Sequence, residues 1–223
     1  GILQGVEKDY EGGLETPEWM GHDNSKMVSL YVVLGMLKDN EVAKRLSKQL
    51  TLVNLNYAEL KSLPTEIYHL EFVENLSLDG NQLKDLPPGI GSMKSLNKVV
   101  LGGNKFQKIP KCLSEAKSLE YLDLSNNKFK KNKDFWGDLV RLFNLKCLNL
   151  SDNSFGTSPE DLSALSSLET FILSSVSLKK DKLSKILNSF SSLTKLSTLD
   201  LSGCGISNIT DEMLALVNLN FIK

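Results

Sequence analysis

The stretch that decides the fold is Val73–Met93, VENLSLDGNQLKDLPPGIGSM, in which apolar residues stand at Val73, Leu76, Leu78, Leu83, Leu86, Ile90 and Met93, with Asn81 between the third and the fourth. The same spacing recurs along the chain, with units opening at Leu50, Val73, Leu96, Leu119, Leu145, Leu168 and Leu196 and an eighth at Leu219. A fixed period of this length is the mark of a stacked repeat, in which one unit alone cannot bury its apolar edge. Within each unit the Leu-x-Leu step alternates with period two, so one face is apolar and the other wet, as a half-buried strand requires. Asparagine fills the same place at Asn81, Asn104, Asn127 and Asn153, where its amide can satisfy turn backbone on neighbouring coils; Ala58, Val176 and Cys204 fill it elsewhere.

These motifs resemble those of the leucine-rich-repeat family over residues 50–223. The short 23-residue unit with Leu63-Pro64, Leu86-Pro87 and Ile109-Pro110 is similar to the repeats of Scribble-type polarity scaffolds and Ras-associated leucine-rich-repeat proteins. The resemblance implies an α/β fold: a right-handed solenoid or arc with a parallel concave sheet and convex turns or 3-10 helices. Eight strands at about 4.8 Å spacing give a wall of roughly 35–40 Å. It also implies a protein partner, with small GTPases, phosphatases and polarity factors as the classes the family offers.

Two units run longer. Residues 133–143 place Phe135, Leu139 and Leu142 at helical spacing, and residues 181–190 do so with Leu183, Ile186, Leu187 and Phe190, which predicts a convex helix in each. Before the first unit, residues 25–49 carry a helical stripe of Met27, Leu30, Tyr31, Leu34 and Leu37 and read as an N-terminal helical cap. Residues 1–24 hold six acids and one lysine and read as an acidic leader or linker. At the other end Leu219, Phe221 and Ile222 begin an eighth strand, whose open edge is expected to be covered by further sequence or by a second copy.

The whole chain has 223 residues, 41% hydrophobic and 24% charged, with a net charge of −1, which argues against a nucleic-acid footprint spread over the molecule. No apolar run reaches the roughly 18–20 residues of a membrane-spanning helix. Cys112, Cys147 and Cys204 are widely spaced and odd in number, which fits a reducing compartment and a cytoplasmic location, with membrane association or the nucleus left open. The only histidines, His22 and His69, enter no catalytic or metal-binding spacing, so the reading is of a non-enzymatic chain without a cofactor.

Function then falls to surfaces. On the concave side the wet positions place Tyr57, Asn75, Lys98, Val100, Tyr121, Asp123, Asn149 and Ile172 as candidate partner contacts, with Tyr121 as the anchor. Along the rim Lys84, Lys108, Lys130, Lys131, Lys179 and Lys180 form a lysine row, which Asp85 and Asp181 partly offset. The sequence therefore reads as an intracellular signalling scaffold that binds a protein through wall and rim. Two alternatives stand beside it: a targeting segment of a larger enzyme, and an anionic-lipid or RNA binder working through the lysines.

Overall fold

A computed structural model describes residues 47–48, 50–159, 161–176, 180–206, 208, 211–214, 216 and 218–223. The acidic leader at 1–24 and nearly all of the expected helical cap at 25–49 lie outside the described residues.

Among the described residues, eight short parallel strands follow one another across a single sheet in sequence order. They are β1 (Leu52–Asn54), β2 (Asn75–Ser77), β3 (Lys98–Val100), β4 (Tyr121–Asp123), β5 (Cys147–Asn149), β6 (Thr170–Ile172), β7 (Thr198–Asp200) and β8 (Phe221–Ile222). Each coil is counted from the residue that opens its repeat, so that β1 belongs to coil 1 and β8 to coil 8. The register never slips: Val53 pairs with Leu76, Leu76 with Val99, Val99 with Leu122, Leu122 with Leu148, Leu148 with Phe171 and Phe171 with Leu199. From β2 to β7 this middle column is at most 1% exposed, while the strand residues on either side of it are half-buried. Three residues are enough for a strand here because each one contributes to a column that runs the length of the stack.

The turn after each strand repeats with the same regularity. Tyr57, Gly80, Gly103, Asn126, Asp152, Ser175 and Gly203 all have positive φ, between 48° and 69°. In the first six, the backbone N–H donates to a carbonyl of the next coil, as Gly80 does to Gly102 at 2.9 Å and Ser175 to Ser202 at 2.7 Å. Glycine is the residue that takes this conformation freely, and three of the seven are glycine.

The asparagines lock the turns together. The Asn104 amide donates to the carbonyls of Leu78, Leu101 and Gly102 at 2.9–3.1 Å, and its Oδ1 accepts from the Leu83 N–H at 3.0 Å. Asn81, Asn127 and Asn153 each donate in the same way to the preceding coil and to their own turn, at 2.9–3.3 Å. In coil 7 the Cys204 thiol takes over two of these contacts, to the Leu173 carbonyl at 3.1 Å and, at a longer 3.9 Å, to the Ser202 carbonyl.

On the convex side Pro64, Pro87 and Pro110, with φ near −60°, open 3-10 helices at Thr65–His69, Pro88–Ser92 and Lys111–Ser114. The first long unit has a 3-10 turn at Phe129–Lys131 and then helix α1 (Phe135–Leu139). This α-helix is shorter than the stretch 133–143 expected from spacing. Beyond it the N–H groups of Arg141, Leu142 and Leu145 bond three residues back rather than four, tightening the chain so that Leu145 re-enters the core two residues before β5. Phe129, Phe135, Trp136 and Phe155 pack there with ring centroids 4.7–6.3 Å apart, and the Trp136 indole donates to the Thr157 carbonyl at 3.0 Å. The second long unit carries α2 (Lys180–Phe190), with Ile186, Leu187 and Phe190 buried and Phe190 edge-on to Phe171 at 5.2 Å. A short helix α3 (Asp211–Leu214) precedes β8.

Candidate binding surface: concave wall and basic rim

The wall is built from the two outward residues of each three-residue strand. One column runs Leu52, Asn75, Lys98, Tyr121, Cys147, Thr170 and Thr198; the other runs Asn54, Ser77, Val100, Asp123, Asn149, Ile172 and Asp200. Seven of the eight concave candidates therefore share one face. The eighth, Tyr57, does not. It lies two residues past Leu55 in the turn after β1, because the chain leaves strand geometry there and alternation no longer carries over. Its ring is 70% exposed and covers Gly80 of the next coil so closely that a Cβ at Gly80 would collide with it.

At the centre of the wall the Lys98 ammonium stands 4.2 Å from the centroid of the Tyr121 ring, a cation over an aromatic face on adjacent strands. Burial, followed by the charge of Asp123, pushes the Tyr121 hydroxyl above the usual phenol range, so it remains a proton donor. Beside it the polar residues hold one another. The Asn149 amide donates to Asp123 Oδ2 at 2.9 Å, Asp123 Oδ1 accepts from the Ser125 N–H at 2.8 Å, and Asn149 Oδ1 accepts from the N–H and hydroxyl of Ser151 at 3.0 and 2.6 Å. The Ser174 hydroxyl extends this chain to Ser151 at 2.8 Å. Val100 and Ile172 flank the network on the same column. The result is a fixed surface with one aromatic ring, one cation and two apolar shoulders, already ordered before a partner arrives.

Cys147 lies next to Tyr121 in the same column and was placed there by the repeat register, although sequence reasoning did not single it out. Burial raises its thiol above the ordinary range, and at Cys112, buried behind the convex turn, burial pushes the thiol up to about 12. Both sulfurs are held as thiols rather than as reactive thiolates.

The lysines do not form one even row. Lys84, Lys108 and Lys131 come together around a depression of about 490 Å³, to which Lys105 also contributes. Lys105 precedes Phe106, whereas the lysine row runs through residues that follow that position, so the repeat register alone does not bring it in. Asp85 is paired with Lys108 at 3.5 Å, which makes its offsetting effect a direct contact. Lys130 is exposed but does not line the depression. Lys179 lies outside the described residues, and Lys180 opens α2. Among the described residues no group of three or more potential metal ligands gathers, and no helix is long and apolar enough to cross a membrane.

Comparison with known proteins agrees with this architecture. A family profile described as leucine-rich repeat region matches residues 36–154, and two further leucine-rich-repeat profiles match residues 144–165 and 192–210. The structure is similar to that of a leucine-rich-repeat protein of Leptospira interrogans, with a TM-score of 0.61 and 26% identity; the match covers 81% of this chain and 50% of that one, so this chain spans half its length. Internalin C2 of Listeria monocytogenes shares the fold, with a TM-score of 0.58 and 17% identity over 94% of this chain and 99% of its own. A search of the curated proteins finds no match.

Proposed function

The chain belongs to the leucine-rich-repeat family, a fold that commonly serves as a protein-interaction module, and on that footing we propose that it is a non-enzymatic scaffold that binds a folded protein against its concave wall. The observation that carries this reading is the Lys98–Tyr121 pair at 4.2 Å in the middle of the wall. An aromatic ring with a charged neighbour, flanked by half-buried Val100 and Ile172 on a surface fixed by hydrogen bonds, has the composition of an interface hot spot. A cytoplasmic signalling role belongs to the same proposal and rests on the cysteine usage and on the short type of repeat.

The test compares the parent chain with Tyr121→Ala and with Lys94→Ala, a change at an exposed residue between the 3-10 helix at Pro88–Ser92 and β3. Proteins captured from lysate by the parent are identified, and the affinity of each is then measured with purified components. We expect Tyr121→Ala to weaken binding by about 2 kcal/mol, the size of an aromatic hot spot, while Lys94→Ala leaves it unchanged and both variants melt close to the parent. Retention of every partner at full affinity by Tyr121→Ala would remove the wall from the interface.

A further inference from the structure

The depression on the rim spans the same three coils as the centre of the wall. Lys84 belongs to coil 2, Lys105 and Lys108 to coil 3 and Lys131 to coil 4, while β2, β3 and β4 of those coils carry Asn75, Lys98 and Tyr121. Four ammonium groups gather there against one carboxylate, Asp85, which is engaged by Lys108 at 3.5 Å. Lys105 donates to the neutral Gln82 at 2.9 Å, and among the described residues no carboxylate pairs with Lys84 or Lys131. Asn132, which lines the same depression, carries a buried Nδ2 with no acceptor among the described residues, so donors are in surplus at a site already electropositive. Coil 3 passes from β3 to Lys105 through Gly102 and Gly103, where the Asp79 carboxylate and the Ser125 hydroxyl lie against Gly102.

We infer that the depression is a docking site for an acidic segment of the protein partner, a run of Asp or Glu side chains that seats its carboxylates among Lys84, Lys105, Lys108 and Lys131. This deepens the interaction reading of the wall and rests on it. Charge complementarity selects an anionic occupant. The lining favours a chain: Asp85 stands among the lysines, and separate carboxylates on a flexible backbone can pass around it where a continuous anionic lipid plane cannot. Among the described residues no aromatic side chain lines the recess, so unpaired bases find no stacking platform on it.

The experiment measures binding of a fluorescently labelled hexaglutamate peptide to the full chain by anisotropy at about 50 and about 200 mM salt, conditions that separate contact electrostatics from packing. The parent binds at low salt and loses affinity as salt rises. Lys84→Glu with Lys131→Glu weakens binding by about tenfold or more, and Lys84→Gln with Lys131→Gln weakens it less; circular dichroism establishes that each variant is folded. Lys94→Glu with Lys111→Glu, the same change in charge on exposed convex-side positions, leaves binding within about twofold. Equal losses in the two reversal pairs would overturn the inference in favour of diffuse charge, and absence of peptide binding at low salt would overturn it outright. Binding to phosphatidylserine vesicles, or to single-stranded RNA, in preference to the peptide would overturn it in favour of those ligands. The hexaglutamate probe touches only the depression, so Tyr121→Ala leaves it bound whether or not the wall binds a partner. Failure of the wall and failure of the depression are thereby read separately.

Discussion

Coils 2–5 and coils 1 and 7 turn the same corner by different means. In coils 2–5 an asparagine follows the left-handed residue, and its amide joins two coils through three or more hydrogen bonds. In coils 1 and 7 that place holds Ala58 and Cys204, and the residue after it is left-handed as well: Glu59 at φ 54° and Gly205 at φ 75°. The first left-handed residue, common to both groups, goes with the coil-to-coil backbone ladder; the second goes with the missing amide. The asparagine therefore shapes the turn as well as tying neighbouring coils together. It is confined to coils 2–5, and the Lys98–Tyr121 pair and the basic depression stand on coils 2–4.

If the two groups differ only in the turn, the core beneath should not distinguish them. Leu124 in coil 4 and Leu201 in coil 7 occupy the same buried place, so Leu124→Ala and Leu201→Ala should each cost roughly 2–5 kcal/mol by chemical denaturation. A far smaller cost for Leu201→Ala would show that the difference extends into the core. Next in size is Asn104→Ala, expected to cost about 3 kcal/mol because it strands the buried Leu83 N–H and removes the amide's bonds to the carbonyls of Leu78, Leu101 and Gly102. Cys204→Ala removes only a weakly donating thiol's bonds to the Leu173 and Ser202 carbonyls and should cost about 1 kcal/mol or less. Equal losses at Asn104 and Cys204 would break the distinction between the two kinds of turn.

The periodic part of this molecule was legible because burial has the same period as the leucines. Leu122, Leu148 and Leu199 fall in the strand column that the repeat register assigns, and Asn81, Asn104, Asn127 and Asn153 bridge coils as a buried amide in a turn must. Gly80, Gly103 and Gly203 mark the left-handed position openly, but Ser175 and Tyr57 do not. Their conformation goes with hydrogen bonds to the next coil, a constraint that acts across more than twenty residues and leaves no trace in local propensity. The rim was read less well, for a related reason. Lysines counted at one place in the repeat appeared as an even row, whereas their gathering depends on coil 3 contributing Lys105 from one side of Phe106 and Lys108 from the other.

The smallest expected effect on stability tests the most unusual residue in coil 1. A non-glycine residue in the left-handed region costs about 1 kcal/mol or more relative to glycine, and an aromatic one there is an outlier that points to a use. Tyr57 nevertheless stands at that position, with its ring over Gly80 and its hydroxyl bonded to Asp79, a bond that holds the phenol above its usual range. Tyr57→Gly relieves the backbone but also loosens the unfolded chain and uncovers Gly80. These terms oppose one another, and the melting temperature should stay within about 3 °C of the parent. A drop as large as that of Asn104→Ala would make the ring a structural clamp for coils 1 and 2. If stability holds while affinity for a partner captured on the wall declines, the exposed ring extends the binding surface from coils 3 and 4 to the turn of coil 1.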